Sequence, residues 1–425
     1  MKAKLIIICT ISFLMPFSMH AQPRMEEEAA RLLKEDLTRA GNNTNSYEFG
    51  ALHETPVPKG YKVFYVSHFG RHGSRSNWGG FQYEAVIRTL TAAKERGILT
   101  ASGDSLLNEA TRVLEAYDGM DGRLSPRGVR EHARIAANLY DRYPKLFKGK
   151  KRIRAISSTV QRCILSMTGF TNELCRKNPG LEISITAGEK IDKWLNNTGS
   201  GDLTSGANAL LDAYRRSLPP VDTVTVMERL FTDQSTARDL VGNVQRFQGA
   251  ILATASIAED FDIEENLYRF LPFDAIYQYW STGNRDLYMK HGNSVEFGQA
   301  RSAEGRFLAE DIVKRADEAI AGGEYVADLR FGHDHPMLGL VSYLGIEGAG
   351  DRLSFDEIDR SWYGFYNIPM AANLQLVFCR NKAGSVLVKF LYNEKECMLR
   401  GLESVSGPYY DWNVVKANIE GYRRP

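Results

Sequence analysis

The densest chemistry in the chain lies in five consecutive residues, Arg71-His72-Gly73-Ser74-Arg75. Two guanidiniums four positions apart can close on one small anion, and their planar forks match phosphate oxygens in pairs. Between them His72 offers an imidazole that is neutral and nucleophilic near neutral pH, able to accept a phosphoryl group directly. Gly73 lets the backbone turn tightly beside that ring. Two further elements stand far off in sequence: Phe331-Gly332-His333-Asp334-His335, and Arg162. Singly, Arg162 reads as a surface ion-pair partner and either histidine as a structural one. All three elements, however, fall at the ends of predicted strands. Two other chemistries fit part of the pattern. His333 and His335 could share a metal if they alternate along a strand, although the arginines would repel a cation. A non-catalytic protein could also keep the arginine cradle to bind phosphate.

The elements that must position these groups follow from local patterns. Tyr61 to Val66 reads as a strand running into the glycine-studded loop that carries His72, and open α/β sheets place ligand sites at such strand ends. Ser125-Pro126 is a helix start, with Val129, Ala133, Ala136 and Tyr140 recurring at helical spacing. Arg152 to Ile156 reads as a strand. Ser157 to Thr159 then caps a helix that carries Arg162 in its first turn and turns Val160, Ile164, Met167 and Leu174 inward. Helix N-termini favour anions, so Arg162 could join the other arginines. Leu181 to Ile185 is a further short strand, and residues 22–59 read as a polar, irregular arm. From about 200 to 325 the pattern is helical, with an amphipathic stripe at Phe307, Leu308, Ile312, Ala316 and Ile320. Strands return at Ala327 to Phe331, Leu374 to Arg380 and Ser385 to Tyr392, the last two joined by a turn at Asn381 to Gly384. The expected organisation is a leader over 1–21, an α/β core in two parts over 22–200 and 326–425, and a helical insertion over 201–325.

Composition narrows the partners. With 53 basic and 52 acidic side chains the net charge is +1, which argues against nucleic acid as a partner. Anion binding must therefore be local. Two lysines, an apolar run from Leu5 to Phe17 and a small residue at Ala21 have the layout of a secretory leader, which predicts export, secreted or periplasmic. No later stretch is long enough for stable membrane insertion. Outside the leader, which holds Cys9, the cysteines are Cys163, Cys175, Cys379 and Cys397. Cys163 and Cys175 are twelve positions apart in one helix, about 18 Å, too far to bond. Cys379 and Cys397 flank the C-terminal hairpin and are the better pair for a disulfide, with buried free thiols the alternative. Six basic residues between Lys145 and Arg154 read as a solvated loop before a strand, with attraction of a polyanion as the other reading.

Together these motifs resemble the histidine acid phosphatases, which include phytases, glucose-1-phosphatases and inositol polyphosphate phosphatases. Leu124-Ser-Pro-Arg-Gly128 with Arg142-Tyr-Pro144, Ser157-Ser-Thr-Val-Gln-Arg162 and Gly332-His333-Asp334 are similar to the family's later segments, so the resemblance runs from about 61 to 400. It departs in two places. Asn77 stands where the family usually has proline, and the inositol polyphosphate phosphatases typically carry His-Ala-Glu in place of His333-Asp334-His335. The resemblance implies a phosphoglycerate mutase-like α/β sheet core with helices on both faces and a helical cap. It also implies hydrolysis of a small phosphomonoester without a cofactor or metal. His72 would be the nucleophile, Arg71, Arg75, Arg162 and His333 would bind the transferred phosphate, and Asp334 would protonate the leaving oxygen. The physics agrees with those roles. Three arginines disfavour protonation of His72, keeping it nucleophilic in mild acid, whereas Asp334 must hold a proton to act as an acid.

Overall fold

Alternation along strand β1 (Lys62–Arg71) determines how the sheet is covered. Tyr65 and Phe69 point to one face, where they pack with the helices Arg306–Ile320, Asp334–Leu344 and Trp412–Gly421. Val66 points to the other, against the helices Pro126–Arg142 and Gln161–Lys177. Both faces are thus buried, which is why these strands read as nearly continuous apolar runs. The computed structural model describes residues 25–77, 81–196, 201–297 and 300–421. The expected leader and Cys9 lie outside the described residues.

The other strands are β2 (Lys151–Ser157), β3 (Leu181–Ala187), β4 (Tyr325–Gly332), β5 (Asn373–Arg380), β6 (Val386–Tyr392), β7 (Lys395–Cys397) and β8 (Tyr409–Asp411). Their order is β3-β2-β4-β1-β5-β6-β7, with β8 also on β6. The first four are parallel, and β5 onward is antiparallel. This is the expected α/β core with helices on both faces. Strand β1 extends five residues past the expected Val66, because β4 on one side and β5 on the other keep pairing it as far as Arg71 and Gly70.

A second apolar cluster, apart from the sheet, is built mainly from helices. It gathers Leu32 and Leu33, Tyr83 and Leu90, Leu106 and Val113, Val226 and Leu230, Ile251, and Tyr277 and Trp280. The arm read as irregular is therefore corrected: it forms the helix Glu27–Glu35 and a 3-10 turn at Leu37–Thr44, and its apolar side joins this cluster. Conversely, Leu308, Ile312 and Ala316 from the expected stripe pack against the sheet, while Phe307 is exposed.

Three local expectations need correction. On the helix Pro126–Arg142, Ser125 caps as expected, accepting from the Gly128 N–H, but the buried face is Gly128, Glu131, His132, Ile135, Ala136 and Leu139, and Val129 is exposed. Burial of the polar Glu131 and His132 rotates the stripe. The helix Gln161–Lys177 starts after Val160 with no side-chain cap. Ser158 and Thr159 instead donate to Asp192 Oδ1, and the Ser158 N–H continues the sheet by donating to Phe331 O. Val160 and Ile164 are only partly buried there. Finally, Cys379 and Cys397 are free. Strand β6 runs between β5 and β7, with Cys379 opposite Leu387 and Cys397 opposite Phe390. Two strand spacings make about 9.6 Å, beyond the reach of a disulfide.

Candidate active site

Register brings the three distant motifs together. Arg71 ends β1 opposite Gly332, which ends β4, and Ser157 ends β2 opposite Phe331. His72, His333 and the helix start at Gln161 therefore leave the same edge of the parallel sheet. The His72 N–H donates to Gly332 O at 2.9 Å, and the His72 carbonyl accepts from Ala371 N at 2.9 Å. Two glycines permit the packing there. A Cβ on Gly73 would stand 2.6 Å from Gly128 O, and one on Gly332 would stand 2.5 Å from Leu195 O. A Cβ on Gly128 would in turn stand 2.4 Å from Ser74 O, which explains why a glycine follows Ser125-Pro126-Arg127: the loop and the helix start touch through backbone.

The side chains form a cradle. His72 Nδ1 lies 3.0 Å from Gly73 O, which seats the ring proton there and leaves the Nε2 lone pair free. Arg71 is wholly buried, and its Nη1 donates to Asn43 O at 2.6 Å and Ile368 O at 2.7 Å. That clamp leaves Arg71 Nε and Nη2 without a hydrogen-bond acceptor, with Nη2 forming an ion pair at 3.1 Å from Asp334 Oδ2. Arg75 and Arg162 are buried beside it, and Arg162 Nη2 donates to His333 Nε2 at 2.8 Å. The His333 ring stands edge-on to His72 with centroids 5.4 Å apart. All six residues expected from sequence at this site are thus brought together.

The field in the cradle is strongly positive. Burial, then Arg71, Arg75 and Arg162, hold the His72 imidazole well below its usual range, so it stays neutral. Burial, then Arg71 and Arg162, pull the Arg75 guanidinium down to about 10. Burial and Arg162 lower His333 to about 4. Burial would push the Asp334 carboxyl up, but Arg71 and then His335 outweigh it and hold it well below the carboxylate range. This arrangement is poised for an anion.

Several contributors carry no local signal in the sequence. Asn43, from the supposed arm, donates Nδ2 to Asp334 Oδ2 at 2.7 Å. Glu131 takes the Ser74 N–H and Oγ–H, both at 2.7 Å, and buried Asp260 accepts from Ser46 Oγ at 3.1 Å, so two carboxyls anchor the back of the loop. Ser166 Oγ accepts the Gly73 N–H at 3.1 Å. The metal reading loses its geometric basis. β4 ends at Gly332, so His335 sits in the first turn of a helix rather than two places along a strand. Both His333 nitrogens are engaged, Nδ1 near Leu195 O at 3.1 Å and Nε2 on Arg162.

A cleft of about 950 Å³ opens from Asp334 beneath the helical part. Asn42, Gln245, Gln278, Arg215, Lys290 and His291 are among its lining residues. No family profile and no curated protein sequence matches the chain. Solved structures do. The multiple inositol polyphosphate phosphatase of Bifidobacterium longum, solved with inositol hexasulfate, is similar at 18% identity and TM-score 0.69 over 90% of this chain and 97% of that one. A phytase of D. castellii gives 13% identity and TM-score 0.68 over 92% and 86%. A Hafnia alvei phytase with myo-inositol hexakis sulphate gives 11% and 0.54 over 87% and 99%. The chain has the fold of these phytases and of the inositol polyphosphate phosphatase, the fold that the sequence resemblance implied.

Proposed function

We propose that the protein is an exported phosphatase that hydrolyses phosphate monoesters, inositol phosphates among them, by passing the phosphoryl group through His72. One observation carries this reading. His72 Nδ1 is tied to Gly73 O, so the lone pair on Nε2 is available inside a ring of three guanidiniums with a carboxyl beside them. Phosphoryl transfer needs positioning and charge neutralisation above all. Arg71, Arg75, Arg162 and His333 hold the phosphate oxygens, with Arg71 Nε as a ready donor and Arg71 Nη2 exchanging Asp334 for the phosphate. Nε2 forms a bond to phosphorus as the ester P–O bond breaks, and Asp334 gives its proton to the departing oxygen. Water then attacks the phosphohistidine, returning a proton to Asp334 and releasing phosphate. Asp334 is ionised while Arg71 is its partner; a phosphate that takes over Arg71 removes that hold and adds negative charge, raising the carboxyl toward a proton-bearing state.

The cleft supports the substrate class. Its size suits a polyhydroxylated ring, and Arg215, Lys290 and the amides of Asn42, Gln245 and Gln278 offer donors for phosphates and hydroxyls. The similar structures bound to inositol hexasulfate bear on the same class. The leader over 1–21 supports export, and among the described residues no helix is long and apolar enough to cross a membrane. His72→Ala tests the central step. Turnover should fall to background with the fold intact, and acid quenching of the wild type should trap a base-stable, acid-labile phosphoenzyme that the variant lacks. Near-normal turnover in the variant would exclude His72 as nucleophile.

A further inference from the structure

Asp334 must present its proton on one particular oxygen, and its surroundings distinguish the two. Oδ2 faces the cradle, 3.1 Å from Arg71 Nη2 and accepting from Asn43 Nδ2 at 2.7 Å. Oδ1 turns to His335, accepting its backbone N–H at 3.0 Å with its ring Nδ1 at 3.1 Å. With the carboxylate ionised, that Nδ1 carries the ring proton and donates it. An oxygen that already accepts two N–H donors is a poor seat for a third proton, because a hydroxyl oxygen accepts more weakly than a carbonyl oxygen. A phosphate that takes over Arg71 leaves Oδ2 with the single Asn43 donor, whereas Oδ1 keeps both of its own, so once Asp334 is protonated the acidic hydrogen belongs on Oδ2. The chain leaves this task to His335. An aspartate at a helix start commonly bonds the N–H two residues on, but that residue is Pro336, which has none.

Resting on the reading of Asp334 as general acid, we propose that His335 is a positioning residue: its Nδ1–H anchors Asp334 Oδ1 and so directs the acidic proton to Oδ2, toward the leaving oxygen. The ring is well placed to hold that contact. It stacks on His333 at 5.6 Å, with planes 25° apart, and packs beside His291 at 5.4 Å. Asp334 and His291 line the cleft, whereas His335 does not, so it acts through Asp334 and not on substrate.

Two variants separate the Nδ1 donor from mere bulk. In His335→Asn the amide N–H takes the place of Nδ1; in His335→Gln it takes that of Nε2. Single-turnover phosphorylation should be measured with an alkyl phosphate and with p-nitrophenyl phosphate, beside Asp334→Asn. His335→Gln should lose about 10- to 100-fold with the alkyl phosphate. It should lose less than about threefold with p-nitrophenyl phosphate, whose leaving group needs little protonation, and KM should hold for both. His335→Asn should recover most of the alkyl rate. Equal losses with both leaving groups, no loss in His335→Gln, or an asparagine variant as slow as the glutamine one would each overturn the proposal. If Asp334→Asn is itself indifferent to the leaving group, the reading of Asp334 as acid falls and takes this inference with it. A leaving-group-dependent Asp334→Asn beside an indifferent His335→Gln refutes the role of His335 alone.

Discussion

Two clusters of buried arginine centre on Arg71 of β1 and Arg330 of the neighbouring β4, and they are built on opposite principles. Around Arg330 the charges balance. Its Nε donates to Asp311 at 2.8 Å and its Nη1 to Ser67 Oγ at 2.9 Å, while Asp328 takes Arg154 Nε at 2.5 Å and the Tyr65 hydroxyl at 2.8 Å. Burial would lower Arg330, but Asp311 and Asp328 outweigh it, and the guanidinium is raised. In the other cluster Arg71 pairs with Asp334, and Arg75 and Arg162 are both lowered, burial being the first cause. Burial alone does not mark a site. The direction of the shift does: guanidiniums held below their usual range by burial and by one another gain when an anion enters among them.

Substitution should expose that difference most sharply. Arg330→Met leaves Asp311 with only the longer Arg315 pair at 3.5 Å and Asp328 with less compensation, at a cost of about 3 kcal/mol, read as a lowered denaturant midpoint. Arg75→Met removes one of three mutually repelling cations. Its stability should stay within about 1 kcal/mol of wild type or rise, while activity falls by about 10²–10³. Equal destabilisation by the two changes would erase the distinction drawn between the clusters.

Acid should separate the regions next. The cradle's histidines are held neutral: His72 is lowered well below its usual value and His333 to about 4, burial first in each case. His132 and His291, buried nearby, are lowered to about 3. A histidine whose folded pKa lies below its unfolded value of about 6.5 takes up its proton first in the unfolded state. Its neutral burial therefore costs no stability well above that value and destabilises progressively as pH falls toward the folded pKa. The slope is about 1.4 kcal/mol per pH unit for each such group. The depressed Asp334 works in the same direction, but only below its unfolded value near 3.8. Buried carboxyls that are raised, Asp260 and Glu131 with burial as the first cause, act in the opposite sense as pH falls, so the histidine contribution between pH 6 and 5 is isolated by substitution. His72→Asn should flatten that slope by about 1.4 kcal/mol per unit, and an unchanged slope would mean that His72 is not buried neutral.

The same contrast explains what could be read from the chain alone. Every cationic member of the cradle sits within a few residues of a strand end, so strand signals and motif spacing drew out Arg71, His72, Arg75, Arg162 and the segment with His333 and Asp334, while the family resemblance supplied the role of each. The groups that hold them come from elsewhere. Asn43 reaches Asp334 across 291 positions, and Ser46 reaches Asp260 across 214. No local period encodes such contacts. Glu131 and His132 misled the stripe because a buried polar residue is indistinguishable in sequence from an exposed one until its partner, here Ser74, is known. The turn at Asn381 to Gly384 was legible because its chemistry is local: Asn381 Oδ1 accepts the Ser385 N–H, and Gly384 has φ of 88°. The Cys379–Cys397 pairing failed for a non-local reason, the intervening strand β6.

The smallest effect should come from the most basic stretch of sequence. Lys145, Lys148 and Lys150 are exposed, and the arginines that follow are neutralised: Arg152 pairs with Glu324, and Arg154 with Asp328 at 2.5 Å and Glu318 at 3.3 Å. The run enters β2 at Lys151, whereas the cradle lies past Ser157 at the other end. Six residue steps at about 3.3 Å separate these ends by about 20 Å, more than twice the screening length of about 8 Å at 0.15 M salt. Changing Lys145, Lys148 and Lys150 together to glutamate should therefore alter kcat/KM for an inositol polyphosphate by less than about twofold at that ionic strength. At about 0.01 M, where the screening length reaches about 30 Å, a modest decrease should emerge through slower encounter. A several-fold loss at 0.15 M would show that a charge-dense loop far from the cradle still recruits substrate, and the distinction between buried and solvated charge would have to be redrawn.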